Sequence, residues 1–460
     1  MPHHTGESMA KYIQHNLFTW QEIEVSSDLD RLKLVLDVIP DEKLMVHLEK
    51  DRGHGRDDYP VRPMWNALIA GIVFNHPSIA SLARELWRNG ELRHVCGFEP
   101  GRPIPTQDAL ERLAKMVLDH RHYIDAMFKE LVEELGKLLP DLGQKLAMDS
   151  KAIPSHGRPV RDESKQKEPD GRRDLDADWG NKTSKGVRED GTVWEKVKRW
   201  FGYKLHLLVD STHELPLTYK VTRASAGDSP ELLPMVRKLG KDHPRVAERA
   251  EELAADKAYD SGENKRELFD EMGINPIIDT RHLWKDEPTQ SRSLFPDRCD
   301  VFTYDESGRL YCHCPVTGEK RDLFFCGFER ERGTLKYRCP AAAYDLNCKG
   351  RTLCEAMADV GSFGRTVRVP LDLDRRIFTP VAHPTAKWKR AYARRTAVER
   401  VNSRIDLVLG FERHYIRGLY KMRCRISFAL VIMLAMALGR IRKNQADLMR
   451  SMTAPVKRVA

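Results

Sequence analysis

Two short apolar runs, each closed by an aspartate, constrain this chain more than any other feature. Leu146-Ala147-Met148 leads into Asp149, and Leu253-Ala254-Ala255 leads into Asp256. Runs this short and this apolar read as packed elements, and a carboxylate at the end of a buried element is costly unless a cation meets it. A third acid, Glu399, lies in a basic helical segment from Tyr392 to Arg404. Tyr392 and Arg395 precede it by seven and four residues, which a 3.6-residue period sets along one helix face. A carboxylate flanked on its own face by an arginine and a phenol can bind metal while its neighbours hold a phosphate. Two divalent metals held ~3.5–4 Å apart by such acids can activate water and stabilise a leaving phosphate oxygen.

At 460 residues the chain is too long for one core, and with 41% apolar residues it is not a disordered chain. The formal charge of +9 suits a polyanionic partner. From Lys387 to Arg425 twelve Lys and Arg residues face three acids, Glu399, Asp406 and Glu412. Phosphate contact and a solvated basic face both account for that run. The opening Met-Pro-His-His-Thr-Gly lacks the pattern of a signal peptide. The apolar stretch Ile426–Leu438 spans 13 residues, against the ~20 that cross a bilayer, so the expectation is a buried C-terminal helix, no membrane partner and a cytoplasmic chain.

Apolar periodicity makes residues 1–140 a helical domain, with helix-turn-helix-like spacing over Ser78–Leu86. A DNA-reading role and a supporting helical bundle are both open for it. Residues 141–282 read as strand, hairpin, helix, strand, helix, strand: a mixed α/β sheet. The hairpin joins Phe201–Asp210 to Leu215–Thr222, and Ser229-Pro230-Glu231 starts a helix. The polar stretch Lys151–Asp178 is expected to loop outward. Residues 283–366 form an inserted β-containing domain, 367–440 return to the core with the Glu399 helix, and 441–460 are a tail.

With these residues in place, the chain resembles the DDE transposases of bacterial insertion sequences, in the group marked by Y-x2-R-x3-E-x6-K. Tyr392, Arg395 and Glu399 match that signature, and Ala-Met-Asp149-Ser and Ala-Asp256-Lys-Ala-Tyr-Asp-Ser resemble the two aspartate motifs. Gly202–His206, Val221–Ala224 and residues 61–113 resemble neighbouring parts of the family, so the likeness covers most of the chain. The signature lysine is replaced by Asp406, and either Arg404 or Arg413 takes its place on DNA or this copy is impaired. The resemblance implies an RNase H-like sheet, with Asp149, Asp256 and Glu399 binding Mg²⁺ (or Mn²⁺) at two sites. It implies cleavage of double-stranded DNA at terminal inverted repeats, and transfer of the freed 3′-hydroxyl to target DNA. A homodimer would pair two ends. Tyr392, Arg395, Lys257 and Arg404 are the candidate DNA contacts, and Trp284 is the candidate holder of a flipped base.

Seven of nine cysteines fall between Cys299 and Cys354. Cys312 or Cys314 with Cys339, Cys348 and Cys354 is the best quartet for structural Zn²⁺, with free buried thiols as the alternative. His206 and His383 read as structural histidines, and Asp210 and Asp260 as turn residues. Three functions compete: a metal-dependent transposase, a catalytically impaired DNA-binding descendant of one, and a zinc-dependent regulator.

Overall fold

The computed structural model describes residues 28–53, 58–159, 172–188, 190, 192–284, 291–295, 301–357, 365–383 and 385–456. Helices come first among them: α1 (Leu29–Leu36), α2 (Glu42–Arg52), α3 (Val61–Val73), α4 (Ile79–Arg88), α5 (Gly90–Cys96), α6 (Gln107–Asp119) and α7 (Arg121–Leu138). Local chemistry sets their ends. Ser78, Asn89 and Thr106 each accept a backbone N–H from the first turn of α4, α5 and α6, as N-caps do. The helix-turn-helix-like spacing falls on α4 and leads into α5.

The sheet follows: β1 (Lys145–Pro154), β2 (Asp178–Val187), β3 (Val193–Asp210), β4 (Leu215–Arg223), β5 (Glu252–Ala255) and β6 (Asn275–Ile278). Helices α8 (Leu232–Asp242) and α9 (Pro244–Ala247) lie between β4 and β5, and α10 (Gly262–Asp270) lies between β5 and β6. β3 is antiparallel to both β1 and β4, whereas β1–β5 and β5–β6 are parallel. The core order is therefore β4-β3-β1-β5-β6, three antiparallel strands continued by two parallel ones, which is an RNase H-like sheet. The expected hairpin is β3–β4, and the proline after Ser229 opens a 3₁₀ turn that runs into α8.

One expectation fails. Lys151–Asp178 is not all outward loop, because β1 continues to Pro154 and β2 begins at Asp178, and residues 160–171 of that stretch lie outside the described residues. β3 also starts eight residues before Phe201, at Val193, and its first half pairs with β2 in a two-stranded ribbon.

The insertion carries β7 (Arg292–Ser293), β8 (Phe302–Tyr304), β9 (Leu310–His313), β10 (Lys320–Asp322), β11 (Phe324–Glu329), β12 (Thr334–Arg338) and β13 (Thr366–Pro370), with helices α11 (Pro340–Tyr344) and α12 (Arg351–Met357). It has its own apolar core, in which Phe302, Leu335, Tyr337 and Val369 meet Ile377 and Phe378, beyond the boundary expected at 366. The chain then returns through α13 (Ala386–Ala393), α14 (Thr396–Leu407) and α15 (Leu419–Arg442).

The expected buried C-terminal helix is α15. It is long and apolar enough to cross a membrane by length and composition alone, but most of it is buried inside the protein. It packs against α1, α3, α7 and β4, so the N-terminal helices and the sheet share one hydrophobic core. Trp65 of α3 stacks on Phe428 of α15 with ring centroids 4.8 Å apart.

A buried ionic hub joins the insertion to the sheet. Asp260 meets Lys265 at 2.7 Å and Arg376 at 3.2 Å, and Arg376 also reaches Glu306 of the insertion at 2.8 Å. Asp260 was expected to be a simple turn residue. Its side chain is instead fully buried, and its charge requires these partners. Arg376→Ala leaves Asp260 with Lys265 and Glu306 with the backbone N–H groups of Leu283 and Trp284, and it should lower the free energy of unfolding by about 1–3 kcal/mol. Denaturant unfolding of wild type and variant measures this, and an unchanged midpoint would show the hub to be energetically idle.

Candidate active site

β1 and β5 pair in parallel register from Lys145 opposite Glu252 to Met148 opposite Ala255. The next residue on each strand is an aspartate, so Asp149 and Asp256 stand together where the pairing ends. This is the carboxyl end of parallel strands, where open α/β sheets place ligands.

The electrostatics follow from that placement. Burial and the neighbouring negative charge of Asp256 push the Asp149 carboxyl up to about 6. The Ser150 N–H, at 2.8 Å, and the charges of Lys182 and Arg395 pull in the opposite direction. Asp256 accepts the Ala258 N–H at 2.7 Å and so caps the turn Lys257–Tyr259. Tyr259 is fully buried. Burial and the charges of Asp228, Asp149 and Asp256 hold its phenol well above the ordinary value. Asp228 itself is paired with Lys204 at 3.0 Å.

Glu399 rises from the first turn of α14, which packs across β1 and β3. Its carboxylate is 49% exposed and pairs with Arg395 at 2.7 Å. Arg395 is also close enough for its charge to act on Asp149, and its buried Nε has no hydrogen-bond partner. Tyr392 stacks on Trp388, with centroids 4.7 Å apart, and feels the charges of Asp279 and Asp256. The signature residues thus line up beside the two aspartates. Glu399 reaches them only through Arg395.

Two sets of ion pairs fix α14. Lys151, on the same strand as Asp149, binds Asp406. At the opposite end of the sheet Arg400 and Arg404 bind Glu214 at 2.7 and 2.9 Å. Glu214 is buried and left-handed at φ 57, in the β3–β4 turn.

Among the described residues no three His, Cys, Asp or Glu side chains close into a metal cradle. The donor chemistry nevertheless fits a divalent cation. Asp149 and Asp256 supply two hard carboxylate donors side by side, and burial with the charge of Asp256 raises the Asp149 carboxyl.

The remaining candidates separate. Lys257 is exposed beside Asp256, with its charge felt by Asp279. Arg404 is withdrawn from the role of a DNA contact, because burial and Glu214 commit it to the protein interior. Arg413 is exposed. Trp284 packs edge-on against Tyr304 at 5.7 Å under the guanidinium of Arg292, so its ring is occupied by protein contacts. His206 is buried, bonds Thr222 at 3.0 Å and is lowered to about 4 by burial, as a structural histidine should be. His383 bonds the Ser307 carbonyl at 2.8 Å.

The expected zinc quartet does not close into a metal cradle among the described residues, although its thiols act on one another. Burial and the neighbouring Cys339, Cys354 and Cys348 raise the Cys312 thiol to about 12, and Cys314 neighbours Cys348.

Sequence reading missed Lys151, Lys182 and Asp228. Lys151 had a usable signal, since it lies two residues past Asp149 and therefore on the same strand face. Lys182 and Asp228 had none.

A family model described as the transposase DDE domain matches residues 141–435. The chain belongs to this transposase family. A second model, described as a transposase domain (DUF772), matches residues 21–116. No curated relative matches the chain. Among solved structures, a piggyBac transposase synaptic complex with hairpin DNA is similar at 12% identity and a TM-score of 0.29. That match covers 95% of this chain and 87% of the other, and the likeness is too slight to add to the topology above. In this DDE transposase Asp149 and Asp256 occupy the two strand positions that the resemblance assigns to its aspartates.

The raised Asp149 carboxyl has a measurable consequence. It binds its proton more tightly folded than unfolded, so the metal-free protein loses stability as pH rises from about 4 to about 6. Asp149→Asn should remove that loss, raising stability at pH 8 by on the order of 1–3 kcal/mol. Thermal unfolding at pH 5 and pH 8 in EDTA tests it, and equal pH dependence in both proteins would refute the assignment.

Proposed function

We propose that this protein is the transposase of a bacterial insertion sequence, acting in the cytoplasm on nucleoid DNA. In this reading it cuts double-stranded DNA at the terminal inverted repeats and joins the freed 3′-hydroxyl to target DNA. The observation that carries the reading is the parallel juxtaposition of Asp149 and Asp256 with the Tyr392–Arg395–Glu399 face beside them.

Asp149, Asp256 and Glu399 would hold two Mg²⁺ (or Mn²⁺) ions, which supply an activated water and charge stabilisation at the leaving oxygen. Arg395 would turn its unpaired Nε to a phosphate oxygen, and release of Glu399 from Arg395 would accompany that contact. Lys257 would face the same phosphate from the Asp256 side. Tyr392, held flat by Trp388, would limit where the DNA strand can lie. Two copies would pair the two ends of the element.

A catalytically impaired, DNA-binding descendant is the second reading, motivated by Asp406 at the signature lysine position. The Lys151–Asp406 pair supports the active reading, since it keeps a cation at that level of the site from the strand rather than the helix. A labelled duplex carrying the inverted repeat, incubated with Mg²⁺, separates the two. Cleavage by wild type and a loss of at least about 100-fold in Asp256→Ala are expected. Sequence-specific binding without any cut by the wild type would establish the impaired reading.

For the thiols of Cys312, Cys314, Cys339, Cys348 and Cys354 we propose one structural Zn²⁺, supported by the charge effects of Cys339, Cys354 and Cys348 on Cys312 and of Cys314 on Cys348. Elemental analysis of protein purified without chelator should find one zinc per chain, lost in Cys339→Ser. Metal-free protein with fully titratable thiols would dismiss it.

A further inference from the structure

The ribbon formed by β2 and the first half of β3 is the part of the structure that the catalytic reading leaves unused. From Val193 to Arg199 every residue of β3 is exposed, on both faces, and Asn181, Lys182 and Thr183 opposite are exposed as well. A two-stranded ribbon whose described tip residues are this exposed gains little from folding alone. Its side chains must therefore be accounted for by something other than a core.

The register sorts them. Residues directly opposite on antiparallel strands share a face. Trp200 stands opposite Gly180, Lys198 opposite Lys182, and Trp194 opposite Gly186. Lys196 belongs to the same face by alternation. A Cβ at Gly180 would lie 2.5 Å from the Trp200 ring, and one at Gly186 would lie 2.6 Å from the Trp194 ring. Each indole thus lies over its opposing glycine, and the lysines stand between the two. Like charges directly opposite each other on a ribbon destabilise it. No carboxylate among the described residues pairs with Lys182, Lys196 or Lys198. A face that accepts such repulsion between two flat aromatics is built for an anion that arrives from outside.

Position supplies the second argument. The charge of Lys182 acts on Asp149, so this face begins within electrostatic reach of the catalytic carboxylates. The base of the ribbon is anchored, since Asp178 accepts the Ser225 N–H at 2.8 Å and the Trp200 indole N–H donates to the Tyr203 carbonyl at 3.0 Å.

We propose that the Lys182, Lys196, Lys198 and Trp194 face is a contact arm for the phosphate backbone of duplex DNA, extending the substrate path outward from the catalytic aspartates. The inference rests on the transposase reading and adds a binding surface to it. Phosphates would neutralise the facing lysines, and Trp194, partly exposed, would lie along the sugar edge.

Full-length protein and a fluorescent duplex of arbitrary sequence, in EDTA, give the test by anisotropy across a potassium chloride series. The combined variant Lys182→Ala, Lys196→Ala and Lys198→Ala should bind at least about tenfold more weakly. Its log–log salt slope should be shallower by about 2.7, three phosphates at about 0.9 each. Its thermal unfolding should be no lower than that of the wild type, because these side chains are exposed and their mutual repulsion is removed. A control lacking three other exposed cations, Lys241→Ala with Arg245→Ala and Arg266→Ala, should keep most of the affinity. Equal binding and slope in wild type and ribbon variant would overturn the arm while leaving the transposase reading intact. So would an equal loss in the control. A sedimentation shift from dimer to monomer with DNA binding unchanged would also overturn it, assigning the ribbon to a second copy of this chain. A wild type that binds no DNA at any salt would remove the transposase reading and the arm together.

Discussion

Everything in the catalytic half of this protein depends on the parallel hydrogen bonding of β1 to β5. That register brings two carboxylates, more than a hundred residues apart in sequence, to the same end of two adjacent strands. The arrangement is unfavourable by itself. Burial and mutual repulsion show in the raised carboxyl of Asp149, and the folded protein tolerates the cost because the strands are fixed by the core beneath them. Such stored electrostatic tension is what binding of a divalent cation relieves.

The surrounding structure acts to hold that end of the sheet steady. α14 is tied to β1 through Lys151 and Asp406, and to the β3–β4 turn through Arg400, Arg404 and Glu214. α13 lies over β5 and β6, with Trp388 among their apolar residues and Tyr392 stacked upon it. The Asp260 hub then fastens the insertion immediately after the Asp256 turn. Glu399 is the least constrained member, half exposed and held by a single arginine.

Much of this was legible in the sequence because apolar patterning and turn chemistry are local. The runs before Asp149 and Asp256, the β3–β4 hairpin, the proline after Ser229 and the apolar α15 stretch all announce themselves in a few residues. What escaped has a common physical character. The β2 ribbon is exposed on both faces, so it carries no alternation of apolar and polar residues to betray a strand. Asp260 resembles a turn residue until its partners Lys265 and Arg376 are seen, and Arg376 comes from the far side of the insertion's strands, 116 positions later. Arg404 looks like a phosphate ligand in a basic run, yet its partner Glu214 lies 190 positions earlier. Long-range charge pairing leaves no local trace in sequence, and the site residues that depend on it had to be read from the fold.

The position of α15 carries a consequence for biosynthesis. Its flanks cover α1, α3, α7 and β4 at once, so those surfaces stay wet until this helix has left the ribosome. Packing of the nascent polypeptide over those surfaces must therefore wait until α15 has been translated. A product terminated before α15 would present a broad greasy flank, making it prey for chaperones and proteases.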